Sequence, residues 1–210
     1  LFDEEQKIAV FRSGWKLGEV RVLEAYRDES PYLEIVAGGQ LVVAGRWDIE
    51  LRCNGKELPL VGAWRRTWWD ANDSAVYFEM SVDVEGGRRL ERSVLLLPKD
   101  KVVLLADAVV VPELKHGDQS DLLAAEIQLQ SSLSVSPSIA IDPSEETCEV
   151  FGSDGKTRFL AIPLALEEWR ESCRGHGSLG MSGQRLQLKQ RAEAGRLYAP
   201  LWIDCNARRL

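Results

Sequence analysis

The run from Ser74 to Val111, SAVYFEMSVDVEGGRRLERSVLLLPKDKVVLLADAVVV, constrains the fold more than any other part of this chain. Val76, Phe78, Met80, Val82 and Val84 alternate with Tyr77, Glu79, Ser81 and Asp83, the period of a strand with one buried and one wet face. A three-residue reversal at Glu85-Gly86-Gly87, with a glycine in the left-handed region, sets Asp83 opposite Arg89, Val82 opposite Leu90 and Phe78 opposite Val94. A second reversal at Pro98-Lys99-Asp100-Lys101 pairs Leu97 with Val102, Leu96 with Val103 and Val94 with Leu105. Continued along the ladder, this register turns Arg92 inward and places it opposite Asp107.

Strand signals continue on both sides of this meander. Gln6–Arg12, Val20–Tyr26, Tyr32–Val36, Leu41–Ala44 and Trp47–Cys53 are separated by turn residues, with Gly38-Gly39 and Asn54-Gly55 as hairpin reversals. Leu122–Ser131 reads as a strand with one polar face, Ser131–Pro143 as an irregular Ser/Pro-rich stretch, and Cys148–Phe151 with Thr157–Ile162 as a hairpin. Leu164–Cys173 is the one plausible helix and reads equally as a strand and loop, Arg174–Ser178 reads as a flexible link, and Arg185–Arg191 and Tyr198–Asp204 close the pattern as strands. The expectation is an all-β fold, a large antiparallel β-sandwich of the supersandwich kind, with about a dozen strands and at most one short helix. With 210 residues the whole chain, 1–210, is long enough for a single sandwich domain, and its start at Leu1 suggests a piece of a longer protein.

A formal net charge of -7 argues against a nucleic-acid backbone as partner, because neutralising phosphates needs a basic surface. No apolar run reaches the roughly 20 residues of a membrane-spanning helix, so no membrane partner is expected. Cys53, Cys148, Cys173 and Cys205 have no short metal-binding spacing and leave two readings open, two disulfides in an exported protein or four buried thiols. Neither a metal nor another cofactor is expected from local motifs.

Three sets of residues are candidates for chemistry. Trp64, Arg66 and Trp68 fall on one side of a regular strand, with Arg65, Thr67 and Trp69 on the other. Indole faces stack on sugar rings and guanidinium groups bind carboxylates or sulfates, so either side is a candidate carbohydrate-binding platform; the alternative is core packing on one side and amphipathic edge residues on the other. His116 and His176 sit beside glycines in loops and are the candidate acid–base groups, with no second functional group placed next to either. Arg92 with Asp107 is read as a structural ion pair, since their neighbours in register are apolar; a substrate-carboxylate site is the alternative.

The succession Arg12-Ser13-Gly14-Trp15, Pro31-Tyr32-Leu33-Glu34, the Trp-rich strand, Leu90-Glu91-Arg92-Ser93-Val94-Leu95-Leu96-Leu97 and Val102-Val103-Leu104-Leu105-Ala106-Asp107 resembles the C-terminal β-sandwich of heparinase II/III-like polysaccharide lyases. In that family an Arg and an Asp recur on neighbouring strands of this kind of hairpin, and Arg92 and Asp107 match them. The resemblance implies a sandwich that binds acidic polysaccharide or supports an N-terminal helical toroid domain holding much of the catalytic machinery, and a periplasmic or secreted location. Lyase activity is expected only when the sandwich is joined to such a domain. The family's sandwich also supplies a His soon after the Asp-bearing strand, where this chain has His116 and then Glu126-Ile127-Gln128. The competing expectation is a structural or interaction module, whose apolar surface contacts another domain or a second copy.

Overall fold

In the computed structural model, residues 1–16, 18–27, 29–112, 120–173 and 175–206 are described. The first part of the chain forms β1 (Phe2–Asp3), β2 (Ile8–Arg12), β3 (Arg21–Ala25), β4 (Tyr32–Ala37), β5 (Gln40–Cys53) and β6 (Lys56–Glu57). The meander follows as β7 (Leu60–Ala71), β8 (Val76–Val84), β9 (Arg88–Leu97) and β10 (Val102–Val110). The rest comprises α1 (Ser120–Leu123), β11 (Ile127–Val135), β12 (Ala140–Pro143), β13 (Val150–Ser153), β14 (Thr157–Pro163), α2 (Arg170–Cys173), β15 (Gly177–Ser182), β16 (Arg185–Ala192) and β17 (Leu197–Asp204).

These strands make two antiparallel sheets, so the all-β sandwich read from the sequence is the architecture observed. One sheet runs β1-β2-β3-β4-β5-β11-β16-β15 with β6 beside β5, and the other runs β12-β13-β14-β17-β10-β9-β8-β7. Their inner faces share one apolar core, to which β2, β3, β4 and β5 bring Phe11, Val22, Leu33, Ile35 and Trp47, and β8 and β9 bring Phe78, Met80, Leu90, Val94 and Leu96. Fully burying side chains of this size contributes about 1.5–3 kcal/mol each. In β9 the burial alternates residue by residue, as a strand between a core and a solvated face requires.

The meander has the register its turns dictate. Asp83 faces Arg89, Phe78 faces Val94, and Val84 faces Arg88 across the three residues 85–87. Gly86 and Gly87 hold φ of 79° and 75°, values that cost a residue with a Cβ but not glycine. Leu97 faces Val102 and Arg92 faces Asp107. Asn54 and Gly55 both take positive φ, 49° and 77°, and turn β5 into β6.

Elsewhere local patterns yield to tertiary pairing. Ser120–Leu123 is a helical turn and the strand expected from Leu122 starts at Ile127. That strand continues to Val135 through the Ser-rich stretch, because Ser131 and Ser132 lie between β5 and β16 and each finds a cross-strand partner on both sides. The helix expected over Leu164–Cys173 shrinks to the four residues of α2, and part of the expected flexible link is strand, since Gly177–Ser182 pairs with β16. In β2 the inward residues are Ala9 and Phe11, while Ile8 and Val10 are only half-buried.

Candidate functional site

Three places in the sandwich gather polar or aromatic groups: a buried charge cluster, the Trp-rich strand, and a groove on the outer face of the nine-stranded sheet. The buried cluster is organised by Arg92, whose side chain is fully excluded from solvent. Its Nε donates to Asp107 Oδ1 at 2.7 Å and one terminal nitrogen donates to the Trp47 carbonyl at 2.7 Å. The guanidinium carbon lies 3.9 Å from the centre of the Trp47 ring and 5.1 Å from that of Trp64, so aromatic faces replace lost hydration. Across the core, Glu24 of β3 is also fully buried, with neither carboxyl oxygen hydrogen-bonded. Burial pushes its carboxyl up to about 8, against a smaller opposing pull from Arg92 and with a further push from Asp107. At neutral pH the Glu24 carboxyl is therefore protonated beside the Arg92–Asp107 ion pair. Arg92 and Asp107 are shut off from solvent between the sheets, at 0% and 2% side-chain exposure.

The Trp-rich strand β7 lies at the edge of the eight-stranded sheet and departs from the regular alternation expected of it. Arg66 faces Met80, but the next pair is Trp68 with Glu79, so Thr67 is an extra residue against β8. That bulge exchanges the faces downstream. Trp64, Arg66 and Trp69 share the inner side, while Arg65 and Trp68 point outward, and the expected one-face set of Trp64, Arg66 and Trp68 is not formed. Trp64 is only 2% exposed and donates from Nε1 to the Glu29 carbonyl at 2.8 Å. Trp69 packs on Phe2, Phe11 and Phe78, with ring centres 5.5, 5.5 and 6.2 Å away. Arg66 lies over the Phe2 ring and pairs with Glu4 at 2.8 Å, and Arg65 pairs with Asp83 at 3.0 Å. Of the five residues, Trp68 alone offers a free ring face, at 60% exposure.

The groove, about 1120 Å³ in volume, was not anticipated from the sequence. Its floor is built of two rows across three strands. Gln128 of β11 faces Arg52 of β5 and Arg191 of β16; one step along, Gln130 faces Glu50 and Lys189. Because alternate residues of a strand share a face, these six polar side chains stand together on the outer side of the sheet. The rim comes from the segments around 145–148 and 169–178, which bring Glu145, Glu146, Trp169, Arg170, Glu171 and His176 to the cavity. Trp169 is 54% exposed. Arg170 is held from below, its Nε donating to the Ser144 carbonyl at 2.6 Å and a terminal nitrogen to the Leu179 carbonyl at 3.1 Å. An isolated bridge between Thr147, in the connection from β12 to β13, and Trp169 joins the two rim segments.

Of the two candidate histidines, His176 is exposed and lines this groove, and His116 lies outside the described residues. Among the described residues, no cluster of three or more His, Cys, Asp or Glu is placed to hold a metal ion. No helix of these residues is long and apolar enough to cross a membrane.

Neither a protein-family model nor a curated protein sequence matches the chain. Solved structures do. The heparan sulfate lyase HepC of Pedobacter heparinus matches with a TM-score of 0.66 and 13% identity over 95% of this chain and 35% of its own. Two structures of heparinase III match with TM-scores of 0.62 and 0.60 at 9% and 10% identity, covering 97% and 94% of this chain and 35% of each of theirs. The fold is thus that of one part of heparinase II/III-like lyases, in agreement with the resemblance carried by the sequence. The chain spans about a third of the length of these lyases, and at such identities the likeness is one of fold.

Proposed function

We propose that this chain is the β-sandwich part of a polysaccharide-lyase-type protein and that its groove binds acidic polysaccharide, presenting the chain to a catalytic domain contributed from elsewhere. The observation that carries this reading is the row Arg52, Gln128 and Arg191 on the groove floor, overlooked by the exposed ring of Trp169. Guanidinium groups grip carboxylate and sulfate by paired hydrogen bonds, amide side chains serve sugar hydroxyls, and an indole face stacks on a pyranose ring. Glu50, Glu145, Glu146 and Glu171 balance Arg52, Arg170, Lys189 and Arg191 in the lining, so an acidic chain would be held by paired contacts to the arginine row rather than by a net positive surface. Titration calorimetry with uronate-containing oligosaccharides tests the reading: saturable binding that weakens with salt supports it, and no heat above dilution at millimolar ligand refutes it.

A second reading, an interaction module, is favoured by one observation. On the outer face of the eight-stranded sheet, Tyr77, Leu95, Leu104, Trp202 and Ile162 form an unbroken row across five strands. Tyr198 stands exposed beside it on β17. Such a row suits contact with another domain or copy. Sedimentation of the isolated chain distinguishes these: a concentration-dependent dimer favours a second copy, and a monomer leaves the row to another domain.

A further inference from the structure

Two of the four cysteines meet at the rim of the groove. Cys148 stands just before β13 and Cys173 closes α2, 25 positions later. Their backbones run side by side: the Cys148 amide donates to the Glu168 carbonyl at 2.8 Å, the Arg170 amide donates to the Glu146 carbonyl at 2.9 Å, and Thr147 bridges to Trp169. Both side chains are buried, and the two sulfurs are 3.0 Å apart. A disulfide bond is about 2.05 Å long, so the thiols need approach by only about 1 Å, within the reach of small side-chain rotations. Among the described residues neither Cys53 nor Cys205 makes a contact of this kind with another cysteine: Cys53 ends β5 in the nine-stranded sheet and Cys205 follows β17 of the eight-stranded sheet.

We propose that Cys148 and Cys173 are the two halves of a disulfide that fastens the rim segment carrying Trp169 and Arg170 to the body of the sandwich. The two thiols give up two protons and two electrons to an external disulfide, either glutathione disulfide or a thiol–disulfide oxidoreductase. One sulfur first forms a mixed disulfide, releasing one thiol. The other sulfur then displaces the second thiol and closes the bond. Burial, reinforced by the hydrogen bond to Cys173, pushes the Cys148 thiol up to about 12, which makes its reactive thiolate scarce in the finished fold. The bond accordingly forms while the 148–173 loop is still open, during folding, and is shielded from reductants afterwards. The thiol of Cys173 gives up its hydrogen bond to the Glu167 carbonyl, a weak interaction, in exchange for the covalent tie.

The full chain is denatured, refolded in mixed reduced and oxidised glutathione, alkylated and digested for mass spectrometry. Before alkylation the expected product is two hydrogens lighter than the reduced chain; unfolded again in denaturant without reductant and then alkylated, it has Cys148 linked to Cys173 and carries the label on Cys53 and Cys205. Reductant added during refolding should lower the melting temperature by about 5–10 °C and speed proteolysis within residues 164–178, and it should do the same in a Cys53→Ser/Cys205→Ser variant. In Cys148→Ser/Cys173→Ser the reductant should have no effect. Four alkylated thiols, a link to Cys53 or Cys205, a persistent glutathione adduct at Cys148 or Cys173, or a link whose loss changes neither melting nor proteolysis would each overturn the proposal.

Discussion

Replacing Glu24 by Gln tests the reading of the buried cluster most quantitatively. Glu24 has no hydrogen-bond partner, is completely buried, and has its carboxyl raised from 4.5 to about 8. The charged groups facing it are Arg92 of β9 and Asp107 of β10, which already form a pair at 2.7 Å. A raised folded-state value means that the folded protein holds a proton the unfolded chain has released. Stability from this group is therefore complete below pH 4.5, declines as pH rises, and levels off above pH 8. A difference of this size corresponds to about 5 kcal/mol across the window, an upper figure because water penetration and relaxation soften buried charges. Gln keeps the shape and stays neutral, so the variant should match the wild type within about 1 kcal/mol at pH 5 and exceed it by about 2–5 kcal/mol at pH 8.5. Urea denaturation of both proteins from pH 5 to 9 gives the difference directly and cancels every other titrating group. Parallel pH profiles would refute the assignment of a buried neutral carboxyl.

Three further perturbations probe other parts of the structure. Arg92→Met leaves Asp107 buried without its partner and should cost about 3–5 kcal/mol in urea denaturation, whereas Arg92→Met with Asp107→Leu should recover most of the loss; equal stability of the two variants would contradict the pair's anchoring role. Trp69→Ala should cost about 2–4 kcal/mol and Trp68→Ala under about 0.5 kcal/mol, and the reverse order would show that the bulge at Thr67 is misplaced. Gly177→Ala puts a Cβ against the Lys189 carbonyl on β16 and should destabilise by about 1–3 kcal/mol, read as a lower melting temperature; an unchanged melt would contradict the close approach of β15 to β16.

The meander was legible because each of its reversals falls at an unambiguous turn and its strands alternate cleanly, so one register satisfied Val82, Val94, Leu96 and Arg92 together. The faces of β7 were not legible. Nothing about Thr67 marks it as an inserted residue; the bulge arises from how β7 fits β8 and how Phe2 and Phe11 receive Trp69. The strand β11 defeated local reading for a related reason: Ser131 and Ser132 have little strand propensity, yet lie between β5 and β16 and are paired on both sides. Glu24 shares a face with Val20, Val22 and Tyr26, but Arg21, Leu23 and Ala25 make the opposite face no more clearly polar or apolar, so the local pattern left both its burial and its charge state unread. The groove stayed hidden because its rows join residues near 50, 130 and 190, and pairing between strands so far apart in sequence leaves no local trace.

The central claim is that the Arg52, Gln128 and Arg191 row recognises acidic polysaccharide. It is tested most directly by the affinity of a uronate-containing oligosaccharide for Arg52→Gln/Arg191→Gln beside Arg65→Gln, which removes an exposed arginine from the Trp-rich strand. The account predicts a loss of at least about tenfold, 1.4 kcal/mol, in the groove variant, with both variants folded and Arg65→Gln binding as the wild type does. Unchanged binding in the groove variant, with loss in Arg65→Gln, would move the site to the Trp-rich strand and contradict the claim.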